Sequence, residues 1–156
     1  MSKNKKFYLK ILFIILFLFI LDRYLKFTAV SYPTNTVQII DNLLQFNFVP
    51  NYNIAFSLPI YGVWLNFIII LIIFVLLYFC VIFFKSKEYK KIIYMFFIIF
   101  GAISNLTDRL EYGYVIDYFS LKHFTIFNLA DVMIVIGVFC LIKKITVLFY
   151  AKQNSH

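Results

Sequence analysis

Charge is scarce in this chain: Asp, Glu, Lys and Arg make up only 14% of its 156 residues, against 63% hydrophobic and 22% aromatic. A soluble domain needs a far more polar exterior, so the composition points to a membrane protein. Glycine, proline and cysteine number 4, 3 and 2, and leave none of the compositional marks of disorder, a coiled coil or a disulfide scaffold. Histidine is nearly absent too, at His123 and His156 alone, so neither a His-rich metal site nor a Ser-His-Asp triad can be assembled. No glycine-rich phosphate loop is present, and nothing supports nucleotide binding. The length suits one membrane domain over 1–156.

Four apolar stretches are there instead: Ile11 to Leu21, Phe67 to Phe84, Ile92 to Ile103 and Val132 to Ile142. Only the second is unbroken over a full span, since crossing a ~30 Å hydrocarbon core takes roughly 20 residues. The other three are each extended by a polar insertion: Asp22 to Lys26, Ser104 to Arg109, and Asp131. Four transmembrane helices are expected, at about 8–30, 62–84, 92–109 and 127–149, with outer loops at 31–61 and 110–126. The basic N-terminus followed by an apolar run also has the look of a signal peptide, but no small-x-small site follows, which favours a retained anchor.

Basic residues set the orientation, because Lys and Arg collect on the cytoplasmic side of short loops. Lys3, Lys5, Lys6 and Lys10 precede the first helix, Lys85, Lys87, Lys90 and Lys91 link the second and third, and Lys143, Lys144 and Lys152 follow the fourth. The loop 31–61 has none and the loop 110–126 has Lys122 alone. Both termini are therefore expected in the cytoplasm. Arg23, Lys26 and Arg109 lie inside helices, so the net charge of +8 calls for no nucleic-acid partner. Cys80 and Cys140 read as apolar packing in a reducing compartment.

Counting from the nearest cytoplasmic lysine at ~1.5 Å per residue puts Asp22 and Asp131 ~18 Å from the inner boundary and Asn105 at ~21 Å. Three helices thus carry polar groups at one level in the outer half of the membrane, with Lys26, Asp108 and Arg109 a turn further out. Charges there cost a few kcal/mol each and face the bundle interior and one another. Asp22 and Lys26, spaced i,i+4, make a structural ion pair as readily as a functional one, and Asp108 can pair with Arg109 or with a neighbouring helix. Asp131 has no basic residue within a turn.

Fourteen residues before it stands Asp117, enough chain to leave the third helix, turn and re-enter as the fourth. Two carboxyls brought together there cannot both ionise, so one keeps a proton while the other acts as a base. That pair suits peptide hydrolysis. Pairing of Asp117 with Arg109 or Lys122 is the structural alternative, and Lys26 or Lys122 activating Ser57, Ser104 or Ser120 is a formal rival chemistry. In the first outer loop, Val37, Ile39, Leu44, Phe46 and Phe48 alternate with Gln38, Gln45 and Asn47 around an Asp41-Asn42 turn, which predicts a small β-hairpin. It either caps the bundle or offers a free edge to an extended peptide.

Together these residues resemble the bacterial lipoprotein signal peptidase (signal peptidase II) family. Asp22-Arg23-Tyr24-Leu25-Lys26 resembles its Asp-x-x-x-Lys, and Asn51-Tyr52-Asn53-Ile54-Ala55-Phe56 its Asn-x-Gly-x-Ala-Phe. The segment from Gly101 through Asn105, Asp108 and Arg109 to Gly113 and Asp117 resembles the end of its third helix. Phe127-Asn128-Leu129-Ala130-Asp131, with Gly137, resembles the start of its fourth. The resemblance spans roughly 7–150. It implies an all-α membrane fold of four helices plus the small outer hairpin, and an aspartic endopeptidase without metal or other cofactor. The implied reaction is removal of signal peptides from diacylglyceryl-modified prolipoproteins, before the lipidated cysteine, at the outer face of the bacterial cytoplasmic membrane. The implied partners are that substrate and membrane lipid, with no obligate protein partner. By the same resemblance the catalytic pair is Asp117 and Asp131. Asn51, Asn105, Asp108, Arg109, Asn128 and Ala130 bind substrate or shape the site, and Asp22 and Lys26 support it. The chain departs from the family at Asn53, Phe100 and Ser104, each standing where a glycine is common; the last two are expected to alter helix packing. A transporter is disfavoured because the inner halves of the first, third and fourth helices are apolar, and a purely structural membrane partner would need neither Asp117 nor Asp131.

Overall fold

The computed structural model describes residues 3–52 and 62–153. Four long helices account for most of them: α1 (Lys3–Ser31), α2 (Val63–Lys85), α3 (Tyr89–Tyr112) and α4 (Leu129–Gln153). The four expected helices are all present, with ends shifted by a few residues. Among the described residues, α2 and α3 are long and apolar enough to cross a membrane; α1 carries Asp22, Arg23 and Lys26 within its length, and α4 carries Asp131 in its first turn. Val63 and Trp64 at one end of α2 and Phe74 and Phe84 further along are all exposed, so this helix is apolar on every side and only its α3-facing stripe is covered. A helix of that kind needs lipid around it.

α3 is the organising helix, packing against α1, α2 and α4. Its buried residues Ile98, Gly101, Asn105 and Asp108 recur at helical spacing and line one face, changing from apolar to polar along it. Lower on that face, Ile93 meets Ile15 of α1 and Met133 of α4. On the other side, Met95 and Ile99 pack with Ile73 and Cys80 of α2. α3 and α4 approach closely because two glycines allow it. A Cβ on Gly101 would lie 2.5 Å from the Ala130 carbonyl oxygen, and one on Gly137 would lie 2.6 Å from that of Tyr94.

The expected hairpin is there as β1 (Val37–Ile40) and β2 (Leu44–Asn51), turning at Asn42 with a left-handed φ of 55°. It is only half of the sheet. The segment 110–126, expected as a loop, forms β3 (Val115–Leu121) and β4 (Thr125–Phe127), and the four strands pair antiparallel in the order β1-β2-β3-β4. The fold is therefore helices with a four-stranded sheet rather than all-α with one hairpin. β2 is an interior strand, with Val49 opposite Asp117 and Asn51 opposite Val115, so the edge of β2 expected to be free for a peptide is occupied by β3. Sheet and bundle join through Ala29, Ile116 and Tyr118, with Leu25, Phe46 and Leu129 against them.

Candidate active site

The polar groups of three helices do meet at one level, where the sheet sits on the bundle. Helix α4 begins there, and its first turn presents backbone N–H groups that no intrahelical carbonyl can satisfy. Each finds a partner. The Leu129 N–H donates to the Tyr118 hydroxyl at 3.0 Å, and the Ala130 N–H to Asp22 Oδ1 at 3.0 Å. The Asp131 N–H donates to Asn128 Oδ1 at 2.9 Å, and Asp131 Oδ2 accepts the Asn128 N–H at 3.3 Å. Asn128 and Asp131 thus form a reciprocal capping box. The sequence held that signal in its Asn-x-x-Asp spacing, and it accounts for an acid at the head of an apolar helix.

Asn128 also reaches the second carboxylate. Its Nδ2 donates to Asp117 Oδ1 at 2.7 Å and to Asn105 Oδ1 at 3.1 Å. Asp117 lies on β3 and is almost fully buried, its Oδ2 accepting from Asn51 Nδ2 of β2 at 2.8 Å. Asp131 Oδ1 accepts from Asn105 Nδ2 of α3 at 2.8 Å. One asparagine side chain therefore holds one carboxylate while its backbone holds the other. Burial, and then the charge of Asp131, push the Asp117 carboxyl up to about 6, against the opposing hydrogen bonds of Asn51 and Asn128 and the charge of Lys26. Neither Arg109 nor Lys122, the structural alternatives, is an ion-pair partner of Asp117 among the described residues.

Behind the two aspartates is a buried ion cluster. Lys26 is fully buried and contacts Asp108 Oδ2 at 2.6 Å, Asn105 Oδ1 at 2.7 Å and Asp22 Oδ2 at 3.3 Å. The i,i+4 pair forms as expected, and Asp108 takes its cations from the neighbouring helix, Lys26 and Arg23, rather than from Arg109. Asp108 also accepts the Ile116 N–H at 3.2 Å, tying α3 to β3. Two acids thus face two bases, which keeps the buried cluster neutral. Asp22, Asp108 and Ala130 are fully buried. Arg109 is half-buried, its Nη1 donating to the Asn105 carbonyl at 3.4 Å, within the fields of Asp131, Asp108 and Asp117.

Two participants, Arg23 and Tyr118, have no role assigned by the sequence, and a third, Ser104, has a different one. Arg23 pairs with Asp108 and donates to the Ser104 carbonyl at 3.2 Å. Ser104, expected to alter helix packing or to serve in a Ser-Lys dyad, buries its hydroxyl and donates to Asp22 Oδ2 at 2.5 Å. Phe100 does pack, edge-on against Phe19. Tyr118 donates its hydroxyl to Asp22 Oδ1 at 2.8 Å. Only the Tyr118 position carried a signal, as a tyrosine among β-formers directly after Asp117. Asn53, Ile54, Ala55, Phe56 and Ser57 lie outside the described residues. Of the other serines offered for a Ser-Lys dyad, Ser104 is 3.4 Å from Lys26 Nζ but is committed to Asp22, and Ser120 donates to Asn47.

The site defines a membrane protein with a buried and a half-buried carboxylate bridged where a sheet meets a helix bundle. Comparison with known proteins agrees. The family model for signal peptidase (SPase) II matches residues 14–147. A lipoprotein signal peptidase of Buchnera aphidicola subsp. Schizaphis graminum is 36% identical over 153 residues, covering 90% of this chain and 96% of the relative. That of Caldicellulosiruptor bescii is 36% identical over 129 residues, covering 82% and 85%. A bacterial membrane enzyme solved by the in meso method at 2.3 Å shares the fold, with a TM-score of 0.74 at 22% identity over 94% of this chain and 92% of that one. The chain belongs to the signal peptidase II family and is accordingly a membrane protease.

Proposed function

We propose that this protease removes signal peptides from diacylglyceryl-modified prolipoproteins, cutting on the amino side of the lipidated cysteine, with Asp117 and Asp131 as its catalytic pair. The observation that carries this reading is the bridging of both carboxylates by Asn128, whose side-chain amide donates to Asp117 and whose backbone N–H donates to Asp131. The named relatives are lipoprotein signal peptidases, which supports the substrate class.

In the working state one proton is shared between the two acids. Asp117, with its raised pKa, keeps it and donates a hydrogen bond to the scissile carbonyl oxygen. Asp131, ionised, removes a proton from the attacking water as its oxygen bonds to the carbonyl carbon. The tetrahedral intermediate then collapses, the C–N bond breaks, and Asp131 returns the proton to the leaving amine. Asn51, Asn105 and Asn128 keep both acids oriented during these transfers, and the buried cluster of Asp22, Arg23, Lys26 and Asp108 fixes α1 and α3 behind them. Arg109, half-buried and within the fields of Asp131, Asp108 and Asp117, orients substrate carbonyls with its planar fork.

The membrane setting follows the same reading. All four helices span the bacterial cytoplasmic membrane, α1 and α4 hiding their charges inside the bundle, with both termini cytoplasmic and the sheet outside. A diacylglyceryl cysteine stays at the membrane surface with its chains in the outer leaflet, the depth at which the polar layer was counted. No cofactor or obligate protein partner enters the mechanism.

The test is cleavage of a diacylglyceryl-modified prolipoprotein and of its unlipidated form by protein purified in detergent, with Asp117→Asn and Asp131→Asn alongside. We expect cleavage of the lipidated form alone and loss of at least ~1000-fold in either variant, in keeping with the loss of an essential acid or base. A folded variant that still cuts at the wild-type rate overturns the assignment of its aspartate.

A further inference from the structure

We propose that Tyr118 is a positioning residue that sets the separation of Asp117 and Asp131 by clamping the first turn of α4 onto β3. This rests on the catalytic pair proposed above and adds a residue to it.

Successive side chains of a strand point to opposite faces, so Asp117 and Tyr118 leave β3 in different directions. Both nevertheless end on the start of α4. Asp117 takes the Asn128 side chain at 2.7 Å, and the Tyr118 oxygen takes the Leu129 N–H at 3.0 Å. The adjacent residues of one strand thus grip adjacent residues of one helix, directly beside Asp131. The tyrosine is fully buried, with its ring between Phe46 and Phe119 at centroid distances of 5.5 and 4.8 Å, so it has no freedom to swing away. Its hydroxyl proton goes to Asp22 Oδ1 at 2.8 Å, the same oxygen that accepts the Ala130 N–H. Burial and then Asp22 hold that hydroxyl far above the usual tyrosine range, so it stays a neutral donor and acceptor.

A phenylalanine at this position keeps the ring and the packing but leaves the Leu129 N–H without an acceptor and Asp22 without one donor. The helix turn is then free to move, and Asp131 with it. The charged groups that act on Asp117 or lie within its field are Lys26 from α1, Arg109 from α3 and Asp131 from α4. Only Asp131 rides on the turn that Tyr118 holds. Loosening it admits water and weakens the Asp131 field, and these two changes, the larger causes of the raised Asp117 value, outweigh any weakening of the Asn128 hydrogen bond and lower the pH at which Asp117 titrates.

The experiment compares wild type, Tyr118→Phe and Ser104→Ala in detergent with a diacylglyceryl-modified prolipoprotein peptide. Ser104→Ala is the matched control because it removes a different buried hydrogen bond from Asp22, one supplied by α3 rather than β3. Tyr118→Phe, which removes two buried hydrogen bonds but only the one to Leu129 on the α4 turn, is expected to lower kcat about tenfold with KM within about twofold. The alkaline limb of its kcat/KM profile moves to lower pH, and that of Ser104→Ala stays with the wild type. A limb unmoved in Tyr118→Phe, or moved equally in both variants, overturns the proposal, because loss of folded protein alone lowers the amplitude without shifting the limb. If Tyr118→Phe cannot be recovered folded, 4-aminophenylalanine at 118 replaces it. That variant keeps a donor but offers a weaker acceptor to Leu129, so a smaller shift in the same direction is expected and a wild-type limb overturns the proposal. Carbon-13 titration of the Asp117 carboxyl reads the same shift without turnover. If wild type cleaves nothing, the substrate reading has failed while this titration still decides the role of Tyr118.

Discussion

At the scale of single residues, the site is governed by how little solvent its carboxylates see. Asp117 is raised chiefly by burial and secondly by Asp131, and Asn51 is one of the few groups pulling the other way. A free-enzyme group titrating near 6 belongs on the alkaline limb of kcat/KM, since it is the protonated form that donates to the scissile carbonyl. Activity on this account is present below that value and falls as pH rises through it. Asn51→Ala removes a hydrogen bond to the ionised form, so the limb is expected at higher pH than in wild type, accompanied by a lower plateau. A pH–rate series on the two proteins checks the sign. Lys26→Met makes a second prediction at this scale. The change leaves Asp22 and Asp108 buried with one cation fewer, and breaking such a pair costs about 3–5 kcal/mol. Thermal unfolding in detergent should show a large fall in the midpoint, together with loss of cleavage.

Among elements, the contact that matters most for geometry is α3 against α4. Gly101 permits it at the Ala130 carbonyl, one residue from Asp131. Gly101→Ala puts a methyl where backbone already stands, and because the far atom is a main-chain oxygen rather than a flexible side chain, the helices themselves must part. Overpacking of this kind costs about 1–3 kcal/mol. Cleavage is expected to fall by more than the loss of folded protein explains, as the first turn of α4 carries both Asn128 and Asp131. Activity per folded molecule, from monodisperse protein, measures this. The i,i+4 pair in α1 and the hairpin of β1 and β2 were legible because both signals are local. β3 was not, because Val115 to Leu121 is a short run with an acid in its middle and becomes a strand only by pairing with β2, far away in the chain. The Asn-x-x-Asp cap of α4 was local and readable, and was passed over in favour of the carboxylate alone.

For the molecule as a whole, the balance of lysines predicts the topology. Reporter fusions or cysteine labelling at Lys122 and at Asp41 should find both sites outside, and a cysteine at Lys87 should be protected until the membrane is opened. Labelling of Lys87 from outside, or protection at the other two, would reverse the orientation and put the sheet and the site in the cytoplasm. The widespread exposed apolar surface of α1, α2 and α4 fits a bundle whose outer wall is lipid, its polar residues turned inward.

Composition and hydrophobic run lengths determined by themselves that this chain is a helical membrane protein, and the positions of its interrupting charges determined that three helices share one polar level. Those are consequences of solvent, which acts on every residue separately and so can be read one residue at a time. Ordered motifs carried the family for the same reason, as each is short and contiguous. Only the tertiary structure decided that Asn128 joins the two aspartates, that Asp108 answers to α1 rather than to Arg109, and that Ser104 and Tyr118 converge on Asp22. Each of these depends on a contact between groups 11 to 96 residues apart meeting at hydrogen-bond distance, and a buried polar atom takes whichever partner the packing brings to it.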